Sequence, residues 1–292
     1  MRYKNKKGKL FLWIGIIGIG AVCIFFLPEM GTEEKPVFLP ETEAPVLSER
    51  EDTKAEDTKT EDTESAAVPA IAQETDRILK LSAGEMAAVG MVDENLVNRL
   101  FFAAGIQDEI FARIHGCSYA ENEDIGISEL SYLKMLYVGF DGNTYVGEMI
   151  VNQKIEAEVL SIFKKLYENH YPIEKMVLID EYQADDEASM QDNNTSAFNY
   201  RTIAGSTRLS NHSYGMAIDL NPKYNPYVKV NSDGTVFCQP KTGMEYADRS
   251  QEFDYKIDEN DLAYQLFTDA GFVWGGNFRS VKDYQHFEKS GY

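Results

Sequence analysis

The chain has 292 residues, with 48 acidic against 28 basic side chains and a net charge of -20. That length suffices for one large domain or two small ones with a proper core. Nucleic acid is a poor partner for so acidic a body, because phosphate contacts need clustered Lys and Arg.

The charge is unevenly spread. Residues 1–28 carry five bases (Arg2, Lys4, Lys6, Lys7 and Lys9) and no acid, whereas 29–76 carry fifteen acids against four bases. Leu10 to Leu27, LFLWIGIIGIGAVCIFFL, is an uncharged apolar run stopped by Pro28 and Glu29. As a helix it nearly spans a bilayer core of roughly 30 Å. The bases before it and the acids after it orient its N-terminus inward. A cleaved signal peptide is the alternative, but the run is long for an h-region and no A-x-A-like site follows promptly. The expected plan is a basic cytoplasmic tail at 1–9, a single-pass membrane anchor at 10–27 and the remainder outside the cell.

Residues 28–76 lack apolar periodicity and contain the pentad repeat EDTKA-EDTKT-EDTES from Glu51 to Ser65. High charge with little to bury predicts a disordered acidic linker over 28–76. The globular part is expected over 77–292, with its core at about 100–292.

Within it, 93–105 predicts a helix with Asp93 as N-cap and Gly105 as stop. YLKMLYVGF and TYVGEMIV, separated by the Asp141–Gly142–Asn143 turn, predict a hairpin. The stripe Ile155, Val159, Ile162, Phe163 and Leu166 makes 152–170 the best helix in the chain. IEKMVLIDEY, 173–182, reads as a buried strand, and Met216–Leu220 as a short one. Asp261–Gly271 predicts a helix and 283–288 a terminal strand. Helices early and strands later predict an α+β fold, an antiparallel sheet with helices packed on one face. Cys23 lies in the apolar run, leaving Cys117 and Cys238 as the one pair an external compartment would allow to bond.

Asp219 is the awkward residue. It sits in an apolar strand, where an unpaired carboxylate costs several kcal/mol, so a cation, a metal or dense hydrogen bonding should face it. There are four histidines. His115 and His170 end predicted helices and suit the carboxyl dipole there. His212 precedes Asp219, and His286 lies three residues after Asp283. Two imidazoles and one carboxylate make a sensible three-ligand catalytic zinc site, with Asp283 available to accept a proton from water. A His–Asp ion pair or a satisfied core histidine would explain each half separately. No H-E-x-x-H, G-x-S-x-G, P-loop or Rossmann fingerprint is present.

The pattern S-x-H-x-x-G-x-A-x-D (Ser210, His212, Gly215, Ala217, Asp219) with a late D-x-x-H-F-E at 283–288 resembles the M15 zinc peptidases of bacterial cell walls. These include D-alanyl-D-alanine carboxypeptidases and L-alanyl-D-glutamate endopeptidases. DDEASMQDNNTSAFNYR, NPKYNPYV and GFVWGGNF are similar to the VanY-like branch, and the resemblance covers roughly 100–292. It implies a single zinc-peptidase domain, with one Zn2+ per chain held by His212, Asp219 and His286. It also implies Asp283 as general base and Arg201 as the residue that polarises the scissile carbonyl. Ser210 is a candidate substrate contact or, equally, a support for His212, and Tyr214 and Trp274 are candidate cleft residues for which core packing is the default.

The implied activity is hydrolysis of the terminal D-Ala of peptidoglycan stem peptides, on a domain anchored through 10–27. Asp at 283, where the carboxypeptidase branch often has Glu, keeps a wall endopeptidase as the alternative. Hedgehog signalling domains share the zinc-site architecture, so a non-catalytic wall-binding module is the alternative from another class.

Overall fold

The computed structural model describes residues 61–290. The basic tail, the apolar run at 10–27 and most of the expected linker lie outside the described residues. Among the described residues no helix is long and apolar enough to cross a membrane.

The first helix, α1 (Glu61–Leu79), occupies the last part of the segment expected to be disordered. Its C-terminal half carries Ile71, Thr75 and Ile78 at one-turn spacing, and Ile78 is fully buried. Ile71 and Ile78 give that half of the helix an apolar stripe to dock. Next come β1 (Met86–Ala88) and α2 (Glu94–Leu100), with Asp93 accepting from the Asn95 N–H as its N-cap. Phe102–Gly105 is a strand, β2, so Gly105 ends a strand and the predicted helix stops earlier. Then follow α3 (Asp108–Ile114), β3 (Leu130–Val138) and β4 (Thr144–Asn152). The last two form the expected hairpin, in register from Leu130↔Asn152 to Val138↔Thr144.

These strands make one antiparallel sheet in the order β1-β4-β3-β2. Leu133, Met135, Met149 and Val151 share one face and pack on α4 (Glu156–Glu168), the helix predicted from its stripe. Leu136, Val138 and Val146 share the other face and pack against α1 and α2. Leu130 and Ile150 extend that second face to Ile114 of α3. The expectation of helices on one face is therefore corrected: they cover both. The reason lies in β3 and β4, whose apolar side chains occur at odd and even positions alike.

The expected strand at 173–182 is buried but irregular. Lys175 bridges Asn194, the Asn194 amide side chain caps Val177 at both its N–H and its C=O, and Ile179–Tyr182 turns into a short 3-10 helix. At Glu174 and Val177, side-chain amides take the hydrogen bonds that a neighbouring strand would have supplied, while Ile173, Lys175 and Met176 bond to neighbouring backbone.

The second half contributes α5 (Asp186–Gln191), β5 (Ala217–Asp219), β6 (Tyr227–Val230), β7 (Val236–Gln239), α6 (Leu262–Asp269), β8 (Val273–Trp274), β9 (Lys282–Asp283) and β10 (His286–Glu288). Helix α6 is capped by Asp261, as expected. The terminal strand is two short ones, which join two further antiparallel sheets, β5-β10-β8 and β7-β6-β9. Among the described residues the fold is thus α+β with three antiparallel sheets. Phe287 is fully buried, facing Ile218 and Trp274 across the first of these sheets and stacked on Phe267 at 4.3 Å. Cys117 and Cys238 are both free thiols.

Candidate active site

The β5–β10 ladder places the site. Its register sets His286 opposite Asp219, Phe287 opposite Ile218 and Glu288 opposite Ala217. Because side chains alternate across a strand, Ile218 and Phe287 enter the core while Asp219, His286 and Glu288 take the other face. His286 Nδ1 is 2.9 Å from Asp219 Oδ1.

His212 arrives on a short 3-10 turn, Asn211–Tyr214, whose N-cap is Ser210. Gly215 ends that turn at φ +64°, and a Cβ there would lie 2.6 Å from the Asn152 amide nitrogen. Only glycine both adopts that conformation and lets β4 come so close. His212 Nε2 then stands 3.3 Å from Asp219 Oδ2 and 3.2 Å from His286 Nδ1. One donor atom from each of His212, Asp219 and His286 falls within 4.8 Å of the others.

The remaining ring atoms are spoken for. His212 Nδ1 meets the Ala197 carbonyl oxygen. That oxygen belongs to the segment whose Ser196 also exchanges backbone hydrogen bonds with Asp219. His286 Nε2 meets Glu288 Oε2 at 3.1 Å, and Glu288 in turn accepts from the Asn211 amide at 2.5 Å. Each imidazole thus presents one nitrogen to the group and has the other oriented by an oxygen acceptor, the arrangement metal-ligating histidines use. All three donors are buried, and the donor set suits a divalent transition metal. The residues present can hold a metal ion.

Electrostatics reinforce this. Burial alone would raise the Asp219 carboxyl, yet attraction to His212 and hydrogen bonds with both imidazoles hold it well below the ordinary range. His286 is pushed up to about 10, since its hydrogen bonds to Asp219 and Glu288 outweigh the burial that disfavours its charge. The pocket is built to stabilise positive charge between fixed carboxylates.

Asp283 behaves oppositely. Burial raises it to about 6, with Asp219 adding repulsion and His286 only partly offsetting it. Its Oδ1 accepts from the Gln285 amide at 3.3 Å. Gly275 makes room for this segment: a Cβ there would meet the Asp283 carbonyl oxygen at 2.5 Å.

A cleft of about 650 Å³ opens over the group, and Arg201, Ser210 and Asp283 line it with the three donors. Arg201 is tied in place by its backbone, its N–H donating to Ser213 Oγ and its carbonyl accepting from the Ser210 N–H. Its Nε forms an ion pair with Asp186 of α5, without hydrogen-bond alignment. Asp186 also accepts from Asn199 at 2.9 Å.

Two expected substrate contacts fall elsewhere. Trp274 is buried in the core and donates its indole N–H to the Tyr284 carbonyl oxygen at 2.8 Å. Tyr214 is half-buried at the edge of two core clusters and does not line the cleft. Both have large apolar bodies that pack better inside than on a wet wall. His115 and His170 lie outside the cleft lining. Sequence reasoning missed the roles of Glu288, Asn211 and Asp186. Glu288 carried a readable signal, since two residues on from His286 in a strand is the same face.

Residues 204–289 match the family model described as D-alanyl-D-alanine carboxypeptidase, among the M15 peptidases. The matched segment contains His212, Asp219, Asp283 and His286, and Arg201 lies just before it. Comparison with curated proteins and with solved structures gave no match.

Proposed function

Starting from an M15 peptidase, we propose that this chain is a zinc-dependent D-alanyl-D-alanine carboxypeptidase. Its substrate would be peptidoglycan stem peptides, from which it releases the terminal D-Ala. The observation that carries this is the buried His212–Asp219–His286 group, with both outer ring nitrogens oriented, opening onto a cleft that holds Asp283 and Arg201.

His212 through Nε2, Asp219 through its carboxylate and His286 through Nδ1 would hold the metal. Zinc bound there acidifies water and polarises a carbonyl oxygen. Asp283 takes the proton from the attacking water and later hands it to the leaving amine, a role that its raised affinity for protons favours. Arg201 keeps two terminal amino groups beyond its contact with Asp186, and these donate to the oxygen on which negative charge develops. Asp186, itself held by Asn199, pairs with the guanidinium and keeps it at the cleft wall. Residues 10–27 anchor the chain in the cell membrane, N-terminus inside, with residues 77–292 acting outside.

The shorter Asp at position 283 favours a second reading, an endopeptidase cutting within the stem or a crossbridge. The test is incubation of the zinc-loaded 292-residue chain with a muramyl pentapeptide, followed by mass spectrometry. Loss of the terminal D-Ala alone supports the carboxypeptidase. An internal cut supports the endopeptidase. No cleavage of the peptide or of crosslinked wall, with zinc bound, overturns both.

A further inference from the structure

The acids of the cleft are all engaged. Asp186 pairs with Arg201, Asp219 with both histidines and Glu288 with His286 and Asn211, while Asp283 is held by Gln285. Two cations that line the same cleft, Arg208 and Lys229, have no ion pair among the described residues. Both are exposed, and what sets them apart from other unpaired surface cations is that they line the cleft that holds the His212–Asp219–His286 group.

Their placement is regular. Lys229 sits on β6 directly across from Phe237 on β7, so both side chains share the hairpin face that lines the cleft. Arg208 sits on a loop closed by the Thr202↔Leu209 bridge, where its carbonyl accepts from the Ile203 N–H at 2.9 Å. Phe237 and Ile203 are large apolar side chains left 47 % and 42 % exposed. Two arms therefore flank the cleft, and each presents one cation beside one uncovered apolar side chain. Strand β6 also pairs with β9, Tyr227 opposite Asp283, so the Lys229 arm is joined to the strand that carries Asp283.

We propose that Lys229 and Arg208 form a carboxylate-binding subsite on the arms of the cleft, separate from Arg201, that selects and orients acidic peptides. The exposed Phe237 and Ile203 cover the aliphatic part of the residue whose carboxylate is held. This rests on the peptidase reading given above. The carboxylate comes either from the C-terminus of the peptide or from an internal acidic residue, and selective amidation distinguishes the two.

The zinc-loaded 292-residue chain, Lys229→Gln and Arg208→Gln would be compared on three forms of one stem pentapeptide. These are the free acid, the C-terminal amide, and a form with its internal carboxylates amidated. On the free acid, each variant should raise KM roughly fivefold with kcat within about twofold, the size expected for one partly solvated charge pair. The form lacking the bound carboxylate should show the raised KM already and be indifferent to both substitutions. If that form is the C-terminal amide, the subsite holds the terminal carboxylate; if it is the internally amidated one, it holds a side-chain carboxylate. KM unchanged in both variants, or raised equally on all three peptides, would overturn the subsite. Failure of the unsubstituted chain to hydrolyse any of them would instead count against the peptidase reading. Calorimetric binding of the free acid then decides the subsite: weaker binding to Lys229→Gln and Arg208→Gln than to the unsubstituted chain supports it, and equal affinity in all three overturns it.

Discussion

His286 and Asp219 are direct cross-strand partners, their side chains meeting at 2.9 Å in the β5–β10 ladder. A register slip of one residue would send His286 into the core and Phe287 into the cleft, so the packing of Phe287 on Phe267 and Ile218 also sets the site. The candidate metal ligands are thus placed by hydrophobic burial on the opposite face of the same strands.

If these three residues hold the metal, His212→Ala and Asp219→Ala should each lose stoichiometric zinc after dialysis. Elemental analysis against the unsubstituted chain reads the result. Full retention in both variants would show that the ligands are elsewhere.

Glu288 should matter through His286. Glu288→Gln keeps the shape but replaces a charged acceptor with a neutral one, weakening the fixed orientation of the ring. Zinc affinity should fall about tenfold to a hundredfold, read by competition with a chromogenic chelator, with circular dichroism unchanged. An unaltered affinity would reduce Glu288 to a bystander.

Asp283 gives the pH dependence. Its carboxyl is raised to about 6 by burial, so it stays protonated to higher pH than an ordinary Asp. A base works only when deprotonated, and kcat/KM should therefore climb as pH rises through this region. A bound divalent cation nearby favours the anion, which places the acid limb at or below pH 6. Asp283→Asn should keep its zinc and lose roughly a hundredfold or more in turnover. Retained activity in that variant would remove Asp283 as the base.

Gly215 offers a test of the scaffold alone. Ala at φ +64° with its Cβ 2.6 Å from a backbone nitrogen is strained twice over. Gly215→Ala should cost about 1–3 kcal/mol in denaturant unfolding and weaken zinc retention through His212. A fully stable variant would mean that the turn relaxes without cost.

Much of this was legible beforehand. The stripe on α4, the β3–β4 hairpin, the Asp93 and Asp261 caps and the H-x-x-G-x-A-x-D spacing are local patterns, and local patterns survive translation into structure. What misled was context. The apolar positions of β3 and β4 announce strands but not that helices cover both faces. The 173–182 segment looks like a strand because it is apolar, yet it meets neighbouring backbone only at isolated points, and amide side chains take the hydrogen bonds of Glu174 and Val177. Core packing is the default reading of Trp274 beside its candidacy for the cleft, and Phe287 opposite it puts it in the core.

By itself, the sequence determined which residues have the chemistry to bind a metal and move a proton, because residue type and short spacing are properties of the chain. Only the tertiary structure decided that His212 and His286, 74 residues apart, share one carboxylate. It alone turned Glu288 toward one ring and Ala197 toward the other, and left Lys229 and Arg208 facing the cleft without an acid. Those relations depend on strand register and on which faces find a core to bury, and both are settled between elements distant in the chain.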